Sequence, residues 1–265
     1  MGRIGERFAA LRAQGETALI PFVTAGDPDL ETTEALVLAM AEAGADLIEI
    51  GVPFSDPIAE GPTIQRSSAR ALARGTSLRG ILQLVARLRD RVEQPLVLMG
   101  YANPIHAMGG EAFAKAAAEV GVDGVIVPDL TPEDGKPYLD PCRAAGIDPI
   151  LLAAPTTSPE RLERLVRETR GFLYYVSLQG VTGARGELAG GIEENVRRAQ
   201  ALGDVPVCVG FGVGSAAQAR EIGRYADGVV VGSAIVDRIE AAGSARSAVE
   251  DVAGFIEELK SALRS

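Results

Sequence analysis

Short, nearly continuous apolar runs recur along the chain at Ala18–Thr24, Leu47–Gly51, Pro95–Met99, Gly124–Val127, Pro149–Leu152, Phe172–Ser177, Val205–Val209 and Gly228–Gly232. Because they do not alternate with polar residues, they predict eight strands buried on both faces, as in a parallel sheet. Between them, Leu30–Ala43, Leu78–Val92, Ala112–Val120, Pro159–Thr169, Ile192–Leu202 and Ala216–Tyr225 carry apolar residues at helical spacing, and several are followed by glycine, as helix C-termini often are. One turn design returns: Gly44-Ala-Asp46, Gly121-Val-Asp123 and Gly146-Ile-Asp148 each lead from a helix into a strand. Eight β/α units predict the α/β class and a (β/α)8 TIM barrel, a single domain over residues 1–265 with an extra N-terminal helix and a long lid loop at about 178–190. A doubly wound open sheet would place a glycine fingerprint directly after the first strand, and Pro21-Phe-Val-Thr-Ala-Gly-Asp-Pro28 contains no G-x-G-x-x-G.

Composition agrees with one large core: 265 residues, 47% hydrophobic, mean hydropathy +0.14. The net charge of −10 is not offset by any basic stripe, which excludes a nucleic-acid partner. No uncharged apolar run approaches the ~20 residues that cross a bilayer, and Met1–Arg12 is a charged amphipathic start, so the expectation is a soluble, untargeted, cytoplasmic chain with no membrane association. Cys142 and Cys208 lack C-x-x-C spacing and a histidine cluster; they read as buried small hydrophobes, with no metal site. His106 is the only histidine, has no catalytic-triad context, and reads as an ordinary loop residue.

Chemistry concentrates where strands end, which in a barrel is where active sites form. Between Asp46 and Gln65 the chain places Glu49 within an apolar strand and Glu60 in a Gly/Pro-rich loop behind it. Burying Glu49 among Leu47, Ile48 and Ile50 as an anion would cost several kcal/mol, so its pKa should rise, as acid/base residues require. Two glycine-rich turns, Gly210-Phe-Gly-Val-Gly-Ser215 and Gly232-Ser-Ala234, follow the seventh and eighth strands, where backbone amides and a helix N-terminus commonly hold phosphate. The long glycine-bearing loop after the sixth strand reads as a lid. Alternation sends one of Tyr174 and Tyr175 into the barrel without saying which. Asp56, Asp129 and Asp134 are by default solvated turn carboxylates, Asp56 and Asp129 being the more rigidly placed. These residues describe a cofactor-free barrel that binds a small phosphorylated metabolite and moves protons with paired carboxylates; carbon–carbon cleavage or isomerisation would fit.

The segments Pro21–Pro28, Glu49-Ile-Gly-Val-Pro-Phe-Ser-Asp-Pro57, Gly61-Pro-Thr-Ile-Gln65, Met99-Gly-Tyr-Ala-Asn-Pro104, Pro128-Asp-Leu130, Gly180-Val-Thr-Gly183, Gly210-Phe-Gly212 and Gly232-Ser-Ala-Ile-Val236 follow one another in the order of a known family. Along essentially its whole length the chain resembles the tryptophan synthase α chain. The resemblance implies retro-aldol cleavage of indole-3-glycerol phosphate to indole and glyceraldehyde 3-phosphate. It implies Glu49 as the acid/base at indole C3, and a second carboxylate on the indole N–H. Phosphate would lie on Gly183, Gly212, Gly232 and Ser233; Phe22, Ile64, Met99, Tyr174 and Phe211 would wall the indole; Thr182 and Gly183 would belong to the lid. Loops around Pro53–Asp56, Tyr101–Pro104 and Pro128–Asp129, with Pro53, Asp56, Asn103, Pro104 and Asp129, would face a pyridoxal-phosphate-dependent β chain. That partner would receive indole through a tunnel in an α2β2 assembly, with no cofactor in this chain.

Two positions depart from the family pattern. Where its motif reads A-D-G-P-T, this chain has Ala59-Glu60-Gly-Pro-Thr63, and one added methylene moves a carboxylate by roughly 1 Å, enough to cost on the order of a hundredfold in rate. In the lid, Leu178-Gln179 replaces a basic or small pair. The resemblance therefore implies a working lyase within an α2β2 complex, or an α chain weakened by Glu60 that serves mainly as allosteric partner of the β chain, or a stand-alone indole-3-glycerol phosphate lyase.

Overall fold

The computed structural model describes residues 2–176, 187–210 and 212–264. Helix α1 (Arg3–Gln14) precedes eight strands: β1 (Ala18–Thr24), β2 (Ile48–Gly51), β3 (Leu96–Met99), β4 (Gly124–Ile126), β5 (Asp148–Ala153), β6 (Leu173–Val176), β7 (Val207–Gly210) and β8 (Gly228–Val231). They pair in sequence order, all parallel, and β8 returns to β1 to close the barrel. Each strand falls within one or two residues of the apolar run that predicts it. Around them lie α2 (Leu30–Glu42), α3 (Pro62–Ala73), α4 (Leu78–Arg89), α5 (Ala102–Met108), α6 (Gly110–Glu119), α7 (Lys136–Ala144), α8 (Pro159–Glu168), α9 (Glu187–Ala201), α10 (Ala216–Gly223), α11 (Ser233–Ala241) and α12 (Ala245–Leu263).

The period-2 alternation of the strands divides the core in two. Ile20, Phe22, Leu47, Val97, Met99, Ile126, Ile150, Tyr174, Cys208 and Val230 meet inside the barrel. Their neighbours, among them Leu19, Val23, Ile48, Ile50, Leu98, Leu173, Tyr175 and Val209, pack outward against the helices. Tyr174 is thus the tyrosine that enters the barrel.

Helix α1 stoppers the N-terminal mouth with Ile4, Phe8 and Leu11, which join the interior cluster. Gly124 makes room for this plug, since a Cβ there would lie 2.9 Å from Ile4 Cδ1. The repeated Gly-x-Asp turn has a structural use at this mouth. The Asp46 carboxylate accepts the Leu19 N–H at 2.7 Å, and the Asp123 carboxylate accepts the Leu96 N–H at 2.9 Å. Each aspartate thereby satisfies a backbone donor in the preceding strand. The glycines that open these turns, Gly44 and Gly121, have φ of +104° and +84°, which favours glycine.

Three helices differ from the periodicity. Helix α9 starts at Glu187, inside the segment expected to be lid, and runs through Gly190 and Gly191 because Ile192, Val196 and Ala199 bury its face; the rest of that segment, 177–186, lies outside the described residues. Helix α5 occupies what reads as loop, so His106 is helical, with Nδ1 2.8 Å from the Tyr138 hydroxyl. Pro104 is compatible with it because it falls in the first turn. Helix α3 buries Ile64, Ser67, Ser68 and Ala71, a face too polar to stand out as a hydrophobic stripe.

Candidate active site

Phe22, Glu49 and Val97 lie side by side across β1, β2 and β3, and the two apolar residues face the barrel interior, so Glu49 does as well. Only 1% of Glu49 is exposed, and its Oε2 has no hydrogen-bond partner among the described residues. Burial, reinforced by the negative charge of Glu60, pushes its pKa up to about 8. A carboxyl in this condition keeps its proton at neutral pH and, once it gives the proton up, is a strong base. Gly51 lets the Phe22 ring lie close over β2, since a Cβ there would sit 2.5 Å from Phe22 Cζ.

Glu60 stands half-buried at the end of the β2–α3 loop, its N–H donating to the Pro57 carbonyl at 3.0 Å and its own carbonyl accepting the Gln65 amide at 2.9 Å. Burial pushes its carboxyl up to about 7. It lines a cleft together with Phe22, Thr24, Ile64, Ser68, Met99 and Tyr101. Pro62 opens α3 immediately after Gly61, and Ile64 and Ser68 of this helix line that cleft. Tyr174 closes the interior: burial and the charges of Glu49 and Glu60 hold its phenol well above the usual tyrosine range.

Anion-binding geometry lies beside the same wall. Gly232 forms the N-cap of α11 and would place a Cβ 3.5 Å from Phe22 Cδ1. Helices α2, α4, α8, α10 and α12 have an Asp or Ser side chain bonded to their first-turn amides; α11, like α1, α3, α5, α6 and α7, has none. Its first turn, including the exposed Ser233, is therefore open to an external acceptor and carries the positive end of the helix dipole. Gly212 is exposed with φ +83°. The expected site residues Thr182, Gly183 and Phe211 lie outside the described residues.

The family model for the tryptophan synthase alpha chain matches residues 8–264. A tryptophan synthase alpha chain of Citrifermentans bemidjiense is 51% identical over 260 residues, covering 98% of this chain and 97% of that one. The chain belongs to the tryptophan synthase alpha chain family. One from Burkholderia pseudomallei is also 51% identical, over 99% of this chain and 97% of its own length. Among solved structures, the tryptophan synthase subunit alpha of Legionella pneumophila superposes with a TM-score of 0.92 at 36% identity, over 100% of this chain and 99% of that one. An aminoacrylate-bound tryptophan synthase of M. tuberculosis gives 0.90 at 37%, over 100% of both chains. This is the family of the lyase that cleaves indole-3-glycerol phosphate, and membership implies a β-chain partner.

Within this alpha-chain frame, the structure gathers Phe22, Ile64, Met99 and Glu60 around one cleft, with Glu49 and Tyr174 in the barrel beneath. The sequence pattern does not single out Thr24, Ser68 or Tyr101. Tyr101 was expected on a partner-facing loop, but its ring turns into the cleft and is 3% exposed; its place directly after β3 is the signal that could have found it. Among the expected partner-facing residues, Asp56, Asn103 and Asp129 are exposed and Pro104 is half-buried. Pro53 is buried where the backbone leaves β2. Asp129 also has a local task, accepting the Ala102 N–H at 2.9 Å at the start of α5. Cys142 and Cys208 are both buried and free. Among the described residues no group of three or more His, Cys, Asp or Glu could hold a metal ion, and no helix is long and apolar enough to cross a membrane.

Proposed function

We propose that this chain performs the family's α reaction with Glu49 as a single proton carrier used in both directions. The buried Glu49 carboxyl at the barrel mouth, whose Oε2 has no hydrogen-bond partner among the described residues, carries this reading. Protonated Glu49 delivers its proton to indole C3 of indole-3-glycerol phosphate, while the Glu60 carboxylate stabilises the positive charge that develops at the ring N–H. The carboxylate left on Glu49 then takes the proton of the hydroxyl on the departing glyceryl carbon. The C3–glyceryl bond breaks, its electron pair restores the indole, and the carbon leaves as the aldehyde of glyceraldehyde 3-phosphate. Glu49 ends with the proton it began with, and no cofactor is needed in this chain.

The α11 amides at Gly232 and Ser233, joined by Gly212 and Gly183, hold the phosphate. Phe22, Ile64, Met99, Tyr174 and Phe211 enclose the indole, and a lid containing Thr182 and Gly183 closes over it. The exposed Asp56, Asn103 and Asp129, with Pro104, meet the β chain, whose pyridoxal phosphate consumes the indole in an α2β2 assembly in the cytoplasm. Steady-state indole release from indole-3-glycerol phosphate tests the core of this reading. Glu49→Gln should lower kcat by about a thousandfold or more, within the range that general acid–base catalysis supplies; turnover within about tenfold of the parent would remove Glu49 from the mechanism.

A further inference from the structure

Tyr101 takes part in none of the steps above, yet it is built into the loop that carries Glu60. Its ring is buried and stacks on Phe54 near the start of that loop, with centroids 5.2 Å apart and planes at 27°. Its phenolic oxygen accepts the N–H of Ala59, the residue before Glu60, at 3.0 Å. Among the described residues this is the only hydrogen bond tying residues 53–60 to the end of another strand; the remainder run within the loop or to Gln65 at the start of α3. Ser55, Asp56, Ile58 and Ala59 are all exposed, so little packing holds the loop in place. Tyr101 itself stands on firm ground, at the end of β3, with the next residue's N–H held by Asp129.

Ala59 is exposed, so its amide could bond to water if the phenol were absent. The hydroxyl is not needed to satisfy a buried donor, and a phenylalanine would supply the same ring packing. What the hydroxyl adds is a fixed position for the peptide next to Glu60. We propose that Tyr101 is a positioning residue that clamps both ends of the β2–α3 loop and so sets where the Glu60 carboxylate meets the substrate. This inference rests on the role given to Glu60 in the proposed reaction.

Tyr101→Phe removes the acceptor and keeps the stack. It should lower kcat for indole release about 10- to 100-fold, with KM within about twofold and an unchanged urea midpoint. In a Glu60→Gln background the same exchange should change kcat by less than about twofold, because the group being positioned is gone. Additive losses in the two backgrounds, an unchanged kcat in Tyr101→Phe, or a fall in urea midpoint that accounts for the loss would overturn the proposal. If Glu60→Gln is too slow for this comparison, the pH profile decides: the Glu60 limb of kcat/KM near neutrality should move by about half a unit or more toward acid as water reaches the loop, and an unmoved limb overturns the clamp. A Glu49→Gln chain that retains parental turnover would refute the reaction itself, whereas an inactive Glu49→Gln beside an unaffected Tyr101→Phe refutes the clamp alone.

Discussion

Asp46, in the turn that leads into β2, and Glu49, on β2 itself, are three residues apart, both are buried to 1% exposure or less, and the protein treats them in opposite ways. Asp46, at the N-terminal mouth, accepts from the Leu19 N–H at 2.7 Å, the Lys260 ammonium at 2.8 Å and the Arg7 guanidinium at 2.6 Å. Glu49, toward the other mouth, has no ion pair among the described residues and an oxygen with no partner. A buried charge is tolerated when its neighbours neutralise and bond it; a buried carboxyl without them answers by holding its proton. For this pair of carboxylates the counter-charges stand at the closed end and, among the described residues, none stands beside Glu49 at the end where a proton must be moved. This is the physical content of the division between a stability face and a catalytic face.

Replacing each carboxylate by its amide should separate the two roles. Glu49→Gln removes the activity and leaves the fold intact. Asp46→Asn does the reverse: Lys260 and Arg7 lose a buried counter-charge, and urea unfolding should show about 3 kcal/mol of lost stability, while the folded protein retains the parental kcat. A loss below about 1 kcal/mol would mean that Glu16, 3.1 Å from Lys260, suffices for that ammonium. The pH dependence of stability sharpens the same contrast. Glu49 titrates at about 8 when folded and near 4.5 as a free side chain, so between these values the native state holds a proton that the unfolded chain has released. Stability therefore falls with rising pH across this window, and the penalty is complete above it. Glu49→Gln is free of that penalty. Its advantage over the parent should be absent below pH 4.5, grow toward pH 8 and level off at an order of a few kcal/mol; a difference that stays flat across the window would contradict the burial argument.

Much of this is legible in the sequence because parallel barrel strands are apolar on both faces, so their runs stand out without an alignment. Glu49 was visible for the same reason, as the one carboxylate among Leu47, Ile48 and Ile50. What periodicity could not show has equally physical causes. Ser67 and Ser68 hide the buried face of α3, a first-turn Pro104 disguises α5, and adjacent Gly190 and Gly191 conceal the start of α9. The choice between Tyr174 and Tyr175 depends on register with β5 and β7, which a pair of adjacent aromatics does not encode. Tyr101 escaped because a side chain just past a strand end obeys neither period, and its direction is set by the loop it meets.

The smallest expected effect concerns the second carboxylate. Glu60→Asp installs the aspartate that the resemblance implies here but withdraws the carboxylate by roughly 1 Å from a cleft whose other walls, Phe22, Ile64 and Met99, stand on β1, α3 and β3. Under the proposed clamp, with Ala59 held by Tyr101, the loop does not follow the shorter arm. Turnover should therefore drop about tenfold with KM nearly unchanged, a loss near 1.4 kcal/mol in transition-state stabilisation. Because charge is conserved and the intrinsic acidities of the two side chains differ by only about 0.4 units, the pH profile should scarcely move. A rise in turnover would carry the opposite meaning: the cleft would be shaped for the shorter residue, Glu60 would be the impairment, and the chain's contribution would shift from cleavage toward activation of its β-chain partner.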